Sequence, residues 1–245
     1  MSGRRIQAAL SAFITRALDP ALCLGCAHVL EPGQYFCDAC GLTLECVPQP
    51  CTLCGLENQG SDPRGSNPIC ARCLYDPPRW QKLIAPLIYQ GIGRDLLIQL
   101  KFSEGLHLAN ALATRLVEYF RRSRPQPEVL LPVPLHRERL LDRGYNQAFE
   151  IARILSSMLD IPLDTRSLLR IRHTESQSGL SASKREKNIL GAFAYEPADV
   201  YTHIAVVDDI VTTGSTANEI TKILHKAGVS NVEIWGLARV LGIKG

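Results

Sequence analysis

The sequence contains few aromatic residues and no long apolar run. Aromatic side chains make up 6% of the 245 residues, and they do not alternate with basic residues as they do in surfaces that stack nucleic-acid bases. No stretch of about 18 apolar residues occurs, so we expect no membrane-spanning helix. The formal net charge is only +3. The excess of basic over acidic residues lies in residues 79–245. It indicates an anionic ligand for this part of the chain, and a polyphosphate and a nucleic acid are the alternatives.

The first 19 residues carry an amphipathic pattern without the features of a signal peptide. Apolar side chains recur at helical spacing, at Ile6, Leu10, Phe13, Ile14 and Leu18. Arg16 and Asp19 interrupt the apolar core that a secretory signal needs. We therefore expect an N-terminal helix over residues 1–19 and a cytoplasmic protein.

Eight of the nine cysteines form four Cys-x-x-Cys pairs, which is typical of metal binding in a reducing compartment. The pairs are Cys23/Cys26, Cys37/Cys40, Cys51/Cys54 and Cys70/Cys73. Each pair directs two thiolates towards a metal, and two pairs complete a closed tetrahedral zinc site. We predict a double zinc-ribbon domain over residues 20–78 with two structural zinc ions. Pairing in chain order is expected, and interleaved pairing (first with third, second with fourth) is the alternative.

The composition changes after residues 76–78, and residues 79–245 carry the pattern of an α/β domain. Strands are predicted at 83–89, 128–134 and 232–240, and helical periodicity is found at 94–102 and 106–122. Such alternation is typical of a parallel sheet covered by helices.

One stretch of this domain has the order of a phosphate-binding site. An apolar run at 204–207 leads into Asp208 and Asp209, and a segment with helical spacing begins after residue 216. Backbone N–H groups at a helix N-terminus bind anions, and small hydroxyl side chains add donors without bulk. The predicted phosphate residues are Thr212, Thr213, Gly214, Ser215 and Thr216.

The two carboxylates would repel a phosphate unless they hold something that bridges to it. Ribose hydroxyls donate to carboxylates, and Mg²⁺ prefers oxygen ligands, so both are compatible with Asp208 and Asp209. A phosphorylated sugar satisfies the whole stretch. An ordinary strand with a well-capped helix is the competing interpretation.

A second group of candidate residues follows the predicted strand 128–134 and occupies the basic segment 168–188. Ligands of α/β sheets lie beyond the carboxyl ends of strands, so we expect the turn after residue 134 to face the same cleft. Guanidinium groups suit phosphate oxygens, and long polar segments are typical of lids. The candidates are Pro134, Leu135, His136, Arg137, Arg139, Arg143, Arg172, Gln177, Lys184 and Arg185. Surface ion pairs and contacts to a nucleic-acid backbone are the alternatives.

The stretch 204–216 resembles the 5-phosphoribosyl-1-pyrophosphate (PRPP) motif of type I phosphoribosyltransferases. The resemblance implies that the acid pair binds the ribose and that the following turn binds the 5′-phosphate. Thr212 stands where the salvage enzymes for hypoxanthine and guanine have an Asp. The turn is therefore more similar to that of orotate phosphoribosyltransferases.

Over nearly the whole chain the sequence resembles the ComF competence family. The likeness is carried by Pro132-Val-Pro-Leu-His-Arg-x-Arg-Leu-x-x-Arg-Gly-Tyr-Asn-Gln147, Arg172-x-Thr174-x-x-Gln177-x-x-Leu180, Arg185-x-x-Asn188, Leu100-Lys101-Phe102 and the cysteine pairs. It implies a type I phosphoribosyltransferase-like parallel-sheet domain at 79–245, with helices on both faces, behind a double zinc ribbon. It also implies PRPP with Mg²⁺ as ligand, and uptake of transforming single-stranded DNA beside a helicase partner.

The resemblance implies a process more clearly than a reaction. One interpretation is a phosphoribosyltransferase, a glycosyltransferase whose acceptor the resemblance does not name. The alternative is a non-catalytic competence factor that binds DNA or protein on a repurposed fold. A third interpretation is a nucleobase phosphoribosyltransferase or an accessory protein of gluconate utilisation.

Overall fold

A computed structural model describes residues 21–58, 68–100, 105–174 and 182–241. The predicted N-terminal helix lies outside these residues. The chain divides into two compact units, Met1–Leu44 and Glu45–Gly245. Residues 45–78 thus belong to the larger unit, and the domain boundary after residue 78 stays a prediction. No helix within the described residues is long and apolar enough to cross a membrane.

The described part of the smaller unit is organised around four cysteines. Strands β1 (Ala21–Leu22) and β2 (Val29–Leu30) pair antiparallel, and helix α1 (Asp38–Thr43) follows them. Its buried apolar side chains within residues 22–44 are Cys23, Cys40 and Leu44. Since so small an apolar core stabilises little, we expect metal binding to supply most of the folding free energy of this unit.

The larger unit alternates strands and helices. Its described elements are α2 (Ala71–Tyr75), β3 (Lys82–Ile84), β4 (Leu87–Ile88), α3 (Gly91–Gln99), α4 (Gly105–Arg121), β5 (Val129–Pro132), α5 (Arg137–Arg143), α6 (Gln147–Leu159), β6 (Leu168–Arg170), α7 (Ala182–Ile189), β7 (Phe193–Tyr195), β8 (His203–Val207), β9 (Ile210–Val211), α8 (Ser215–Lys226), β10 (Asn231–Trp235) and β11 (Ala238–Arg239).

The main sheet has four parallel strands in the order β3-β10-β8-β5. All five residues of β8 are buried, as is typical of a strand covered on both faces. Side chains of β10 alternate between the faces: Ile234 joins the core that contains Ile220 and Leu224 of α8, whereas Trp235 stacks on Phe120 of α4 at 5.1 Å. Helices therefore cover both faces, which confirms the predicted α/β fold.

Smaller sheets account for the differences from the predicted strands. Strand 83–89 is divided into β3 and β4 at Pro86, which lacks the N–H that a ladder needs. Strand 232–240 is likewise divided, and β4, β11 and β9 form a second parallel sheet. The basic segment 168–188 is not one long loop, because β6 pairs antiparallel with β7 and α7 follows.

The register of β5 and β8 determines where the candidate residues lie. Pro132 pairs with Val207, and the N–H of Val133 donates to the carbonyl of Val207 at 2.8 Å. Because the two strands are parallel neighbours, their carboxyl ends lie at one edge of the sheet. The turn after β5 and the acid pair after β8 are therefore adjacent, as predicted.

Candidate functional site

The acid pair begins directly where β8 ends. An Asp208 Oδ1 atom accepts from the N–H of Asp209 at 2.9 Å, and an Asp209 Oδ1 atom accepts from the N–H of Ile210 at 2.8 Å. Burial and the neighbouring Asp209 carboxylate raise the pKa of Asp208 well above its ordinary value. A hydroxyl donor or a divalent cation beside the pair would relieve this repulsion.

Residues 212–216, named the phosphate turn after their predicted ligand, lead from β9 into α8. Gly214 is the N-cap residue of α8, with a left-handed φ of 84° and no side chain to cap the helix. The hydroxyls of Thr213 and Ser215 lie 2.8 Å apart, and the Thr213 hydroxyl accepts from the N–H of Ser215 at 3.3 Å. The turn thus combines hydroxyl groups with a helix N-terminus, which is an arrangement that binds anions.

Arginine side chains lie close together here, and one of them, Arg170, is near enough to Asp208 to interact with it electrostatically. Arg139 donates to the carbonyl of Thr174 at 3.1 Å, and Arg170 donates to the hydroxyl of the same threonine. Burial and the charge of Arg139 lower the pKa of Arg170 to about 10, although Asp208 partly offsets the effect. Burial and Arg143 lower the pKa of Arg139. An anionic ligand would stabilise these partly desolvated cations.

One donor of this arginine cluster (Arg139, Arg143 and Arg170) is unsatisfied. The Nε atom of Arg170 is buried and has no hydrogen-bond partner among the described residues. Its guanidinium also lies over the ring of Phe193, with 5.5 Å between the Cζ atom and the ring centroid. Arg170 lies in the basic segment 168–188 that was predicted as a lid, and only the fold shows that its guanidinium lies near Asp208.

His136, in the turn after β5, lies in a cluster with Glu138 and His173. The Nδ1 atom of His136 accepts from the N–H of Glu138 at 3.4 Å, and the two histidine rings meet edge to face at 5.0 Å. One ligand atom from each residue lies within 4.8 Å of the others. The cluster could bind a divalent metal or, with protonated imidazoles, phosphate oxygens. Sequence reasoning missed Glu138 and His173 here.

The remaining predicted pyrophosphate residues differ in their surroundings. Pro134 and Leu135 are partly buried in the turn after β5, whereas Arg137 and Lys184 are exposed. The Arg143 guanidinium donates to the side-chain amide oxygen Oε1 of Gln147 at 3.3 Å.

Arg172 is directed to the end of α7. It donates to the carbonyls of Asn188 and Leu190 at 2.8 and 2.7 Å, so it fixes that helix end. Gln177 lies outside the described residues, as does the side chain of Arg185.

The eight predicted zinc ligands form two clusters in chain order. The first cysteine cluster is Cys23, Cys26, Cys37 and Cys40, and the second cysteine cluster is Cys51, Cys54, Cys70 and Cys73. Within each cluster all sulfur atoms lie within 4.8 Å of one another. The clusters confirm the pairing in chain order and exclude the interleaved alternative. Four thiolates around one centre fit a structural zinc ion and leave no coordination position open.

Backbone N–H groups donate hydrogen bonds to one sulfur atom of each cluster and stabilise its thiolate form. The N–H of Cys37 lies 3.3 Å from the Cys23 sulfur, and the N–H of Cys70 lies at the same distance from the Cys51 sulfur. Burial opposes ionisation of both thiols, but the backbone and side-chain donors around each sulfur together outweigh it and lower the pKa of Cys23 to about 6 and that of Cys51 to about 7. One thiol of each cluster therefore favours the thiolate form that binds zinc, whereas the hydrogen bond with Cys26 raises the pKa of Cys40 to about 12 and burial raises that of Cys54 to about 11.

Two further residues contact the phosphate turn and were not predicted from the sequence. Arg239 donates to the carbonyls of Val211 and Thr212, and the ring of Trp80 lies against Gly214. A sequence feature could have indicated Arg239, because it is a charged residue inside the apolar strand predicted at 232–240. No sequence feature marks Trp80 as part of the site.

Known proteins similar to this chain share most of its length. It is 36% identical over 225 residues to "Competence protein F" of Haemophilus influenzae, covering 89% of this chain and 95% of that protein. The chain belongs to the ComF competence family. It is also 35% identical to "DNA utilization protein YhgH" of Escherichia coli (strain K12), covering 91% and 98%, and 24% identical to "Competence protein ComFC" of Bacillus subtilis, covering 86% and 87%. No family model matches the chain.

Solved structures give a weaker likeness to this ComF-family chain. An adenine phosphoribosyltransferase from Leishmania donovani matches with a TM-score of 0.34 and 15% identity, covering 56% of this chain and 53% of that one. A purine phosphoribosyltransferase from Pyrococcus horikoshii matches with a TM-score of 0.31 and 19% identity, covering 57% and 85%. At these scores the likeness carries no functional argument, and the fold class rests on the strand order of the chain itself.

Proposed function

We propose that the carboxyl edge of the main sheet binds PRPP with Mg²⁺, and that the protein handles transforming single-stranded DNA. One observation carries the ligand assignment: the acid pair, the phosphate turn and the arginine cluster meet at this edge. The acid pair would hold the ribose hydroxyls and Mg²⁺. The turn would hold the 5′-phosphate, and the arginine cluster with His136 would hold the pyrophosphate.

The charges at the edge match this ligand better than they match a simple anion. A phosphate alone would be repelled by Asp208 and Asp209, whereas a ribose between two phosphate groups presents hydroxyl donors to them. The raised pKa of Asp208 reflects burial and repulsion from Asp209 in the free site, and a bridging cation would relieve that repulsion. The arginine cluster comes from α5 and β6, whereas the hydroxyl turn lies at the start of α8, so different elements supply the two proposed phosphate-binding groups.

Turnover would use positioning and charge neutralisation. An acceptor would form a bond to C1 of the ribose while the bond from C1 to the pyrophosphate oxygen breaks. The arginine cluster would stabilise the charge that develops on the leaving pyrophosphate. This step defines a phosphoribosyltransferase, and its acceptor is to be sought among bases and other nucleophiles.

The names of the relatives support the second part of the proposal, the handling of transforming DNA. The name "Competence protein F" refers to competence and the name "DNA utilization protein YhgH" refers to the use of DNA, and both support a role in competence for this chain. A second candidate function, a non-catalytic DNA-binding factor, is favoured by the exposed Arg137 and Lys184. If such groups bind the phosphate backbone, affinity for a single-stranded oligonucleotide should fall steeply with salt in fluorescence polarisation. Salt-independent affinity would contradict this mode.

Calorimetric titration of PRPP and MgCl₂ into the zinc-loaded protein tests the ligand assignment. We expect the wild type to bind and the Asp208→Asn/Asp209→Asn variant to lose binding, because the neutral amides cannot hold Mg²⁺ as carboxylates do. Asp95→Asn is the matched control, since Asp95 is an exposed carboxylate in α3. Absence of binding by the wild type, or equal binding by the double variant, would overturn the assignment.

A further inference from the structure

Two buried side chains lie between the second cysteine cluster and the phosphate turn. On the cluster side, the indole Nε1–H of Trp80 donates to the carbonyl of Leu53 at 2.6 Å. The Nε–H of Arg239 donates to the carbonyl of Cys54 at 2.7 Å. Trp80 is 5% exposed and Arg239 is 7% exposed, so neither bond is open to competition from bulk water. Both acceptors belong to the Cys51–Cys54 loop that supplies two of the four sulfur atoms.

The opposite ends of the same two side chains contact the phosphate turn. The Nη1 atom of Arg239 donates to the carbonyl of Val211 at 3.0 Å and to that of Thr212. A Cβ atom placed on Gly214 would lie only 2.8 Å from Cη2 of Trp80, so the indole is packed directly against the N-cap of α8. One guanidinium and one ring thus connect the metal loop to both ends of the 211–214 segment.

Hydrogen bonds to backbone carbonyls hold the guanidinium of Arg239 in place. Its acceptors include carbonyls of the metal loop and of the segment 211–214, and no carboxylate lies within ion-pair distance of it among the described residues. A buried cation without a counter-charge is costly, so the position of Arg239 depends on these directional bonds.

We propose that Arg239 and Trp80 are positioning residues that transmit the folded state of the second cysteine cluster to the phosphate turn. Zinc at that cluster then holds residues 211–214 in the conformation that binds a sugar phosphate. We assign this role to the second cysteine cluster alone, because its metal loop makes the contacts described above. The claim that the turn binds a sugar phosphate rests on the proposed PRPP site, whereas the claim that the second cysteine cluster fixes the conformation of the turn does not.

The decisive variant is Arg239→Lys, which keeps the charge but cannot donate to the metal loop and to the turn at once. We expect it to retain both zinc ions and to bind PRPP with Mg²⁺ roughly tenfold more weakly, as for one lost hydrogen-bonded anchor. Amide hydrogen exchange at residues 211–216 should accelerate in the free protein. Arg72→Lys is the matched control, because Arg72 is exposed on α2 beside the same cluster. Unchanged exchange at the turn in Arg239→Lys would overturn the inference.

A second comparison separates the two clusters. Cys51→Ser should lose one zinc ion and accelerate exchange at residues 211–216, whereas Cys23→Ser should lose one zinc ion and leave that exchange unchanged. Equal effects of the two variants on the turn would contradict the inference. If the wild type fails to bind PRPP while Arg239→Lys still loosens the turn, the proposed function fails and the positioning role stands. If the wild type binds and Arg239→Lys changes neither affinity nor exchange, only the positioning role fails.

Discussion

Replacing Gly214 with alanine measures how tightly the phosphate turn is held against Trp80. Two costs add at this position. Gly214 has a φ of 84°, and a left-handed backbone costs a non-glycine residue roughly 1–2 kcal/mol. The new Cβ would also lie 2.8 Å from the ring of Trp80, and such overpacking costs about 1–3 kcal/mol. We therefore expect the free energy of unfolding to fall by roughly 2–5 kcal/mol in Gly214→Ala.

Gly228→Ala is the control that separates these two costs. Gly228 has a φ of 92°, but among the described residues no atom apart from those of its chain neighbours lies within 4 Å of its Cβ position. This variant should lose only the roughly 1–2 kcal/mol of backbone strain. Urea unfolding followed by tryptophan fluorescence reports on the larger unit, because Trp80 and Trp235 are the two tryptophans of the chain. Equal losses in the two variants would refute the close packing of Trp80 on the turn.

The same two variants separate stability from ligand binding. Gly214→Ala should weaken PRPP binding, since a displaced turn no longer directs its N–H groups at the phosphate, whereas Gly228→Ala should bind as the wild type does. Adding Trp80→Phe to Gly214→Ala should relieve part of the clash, so the double variant should be more stable than the sum of the single changes predicts. If the stability losses of the two single changes were strictly additive, the new Cβ at residue 214 would not clash with Trp80.

Three further predictions concern stability, pH and zinc. Glu233→Ala removes a buried carboxylate that contacts three buried side chains at 2.7–3.2 Å; urea unfolding should show a loss of about 3–5 kcal/mol, against little change for the exposed Glu196→Ala. The raised pKa of Asp208 makes the folded state the better proton acceptor, so wild-type stability should fall as pH rises through that pKa. Asp208→Asn should lack this fall and be more stable than the wild type at neutral pH. If the urea midpoints of unfolding of the two proteins changed with pH in the same way, this prediction would be contradicted. Cys23→Ser and Cys51→Ser should each lose one zinc ion by elemental analysis, and loss of both ions from one change would contradict independent clusters.

Short-range patterns were sufficient to predict the two cysteine clusters and the strand–turn–helix arrangement of residues 204–216. A Cys-x-x-Cys pair and a strand followed by acids, hydroxyl residues and a helix are local arrangements, because their geometry depends on residues a few positions apart. The α/β class was also predictable, since alternating apolar periods determine which faces are buried. Helix and strand ends were less accurate, as at Pro86, where a missing N–H divides one predicted strand into two.

The sequence by itself determined which chemical groups the protein has: two sets of four thiols, an acid pair and a hydroxyl turn. Tertiary structure alone decided which of these groups meet. It placed Arg170 beside Asp208 and His173 beside His136, and it connected the second cysteine cluster to the phosphate turn through Trp80 and Arg239. These pairs are far apart along the chain, and no local pattern encodes a contact that forms only when separate elements pack together.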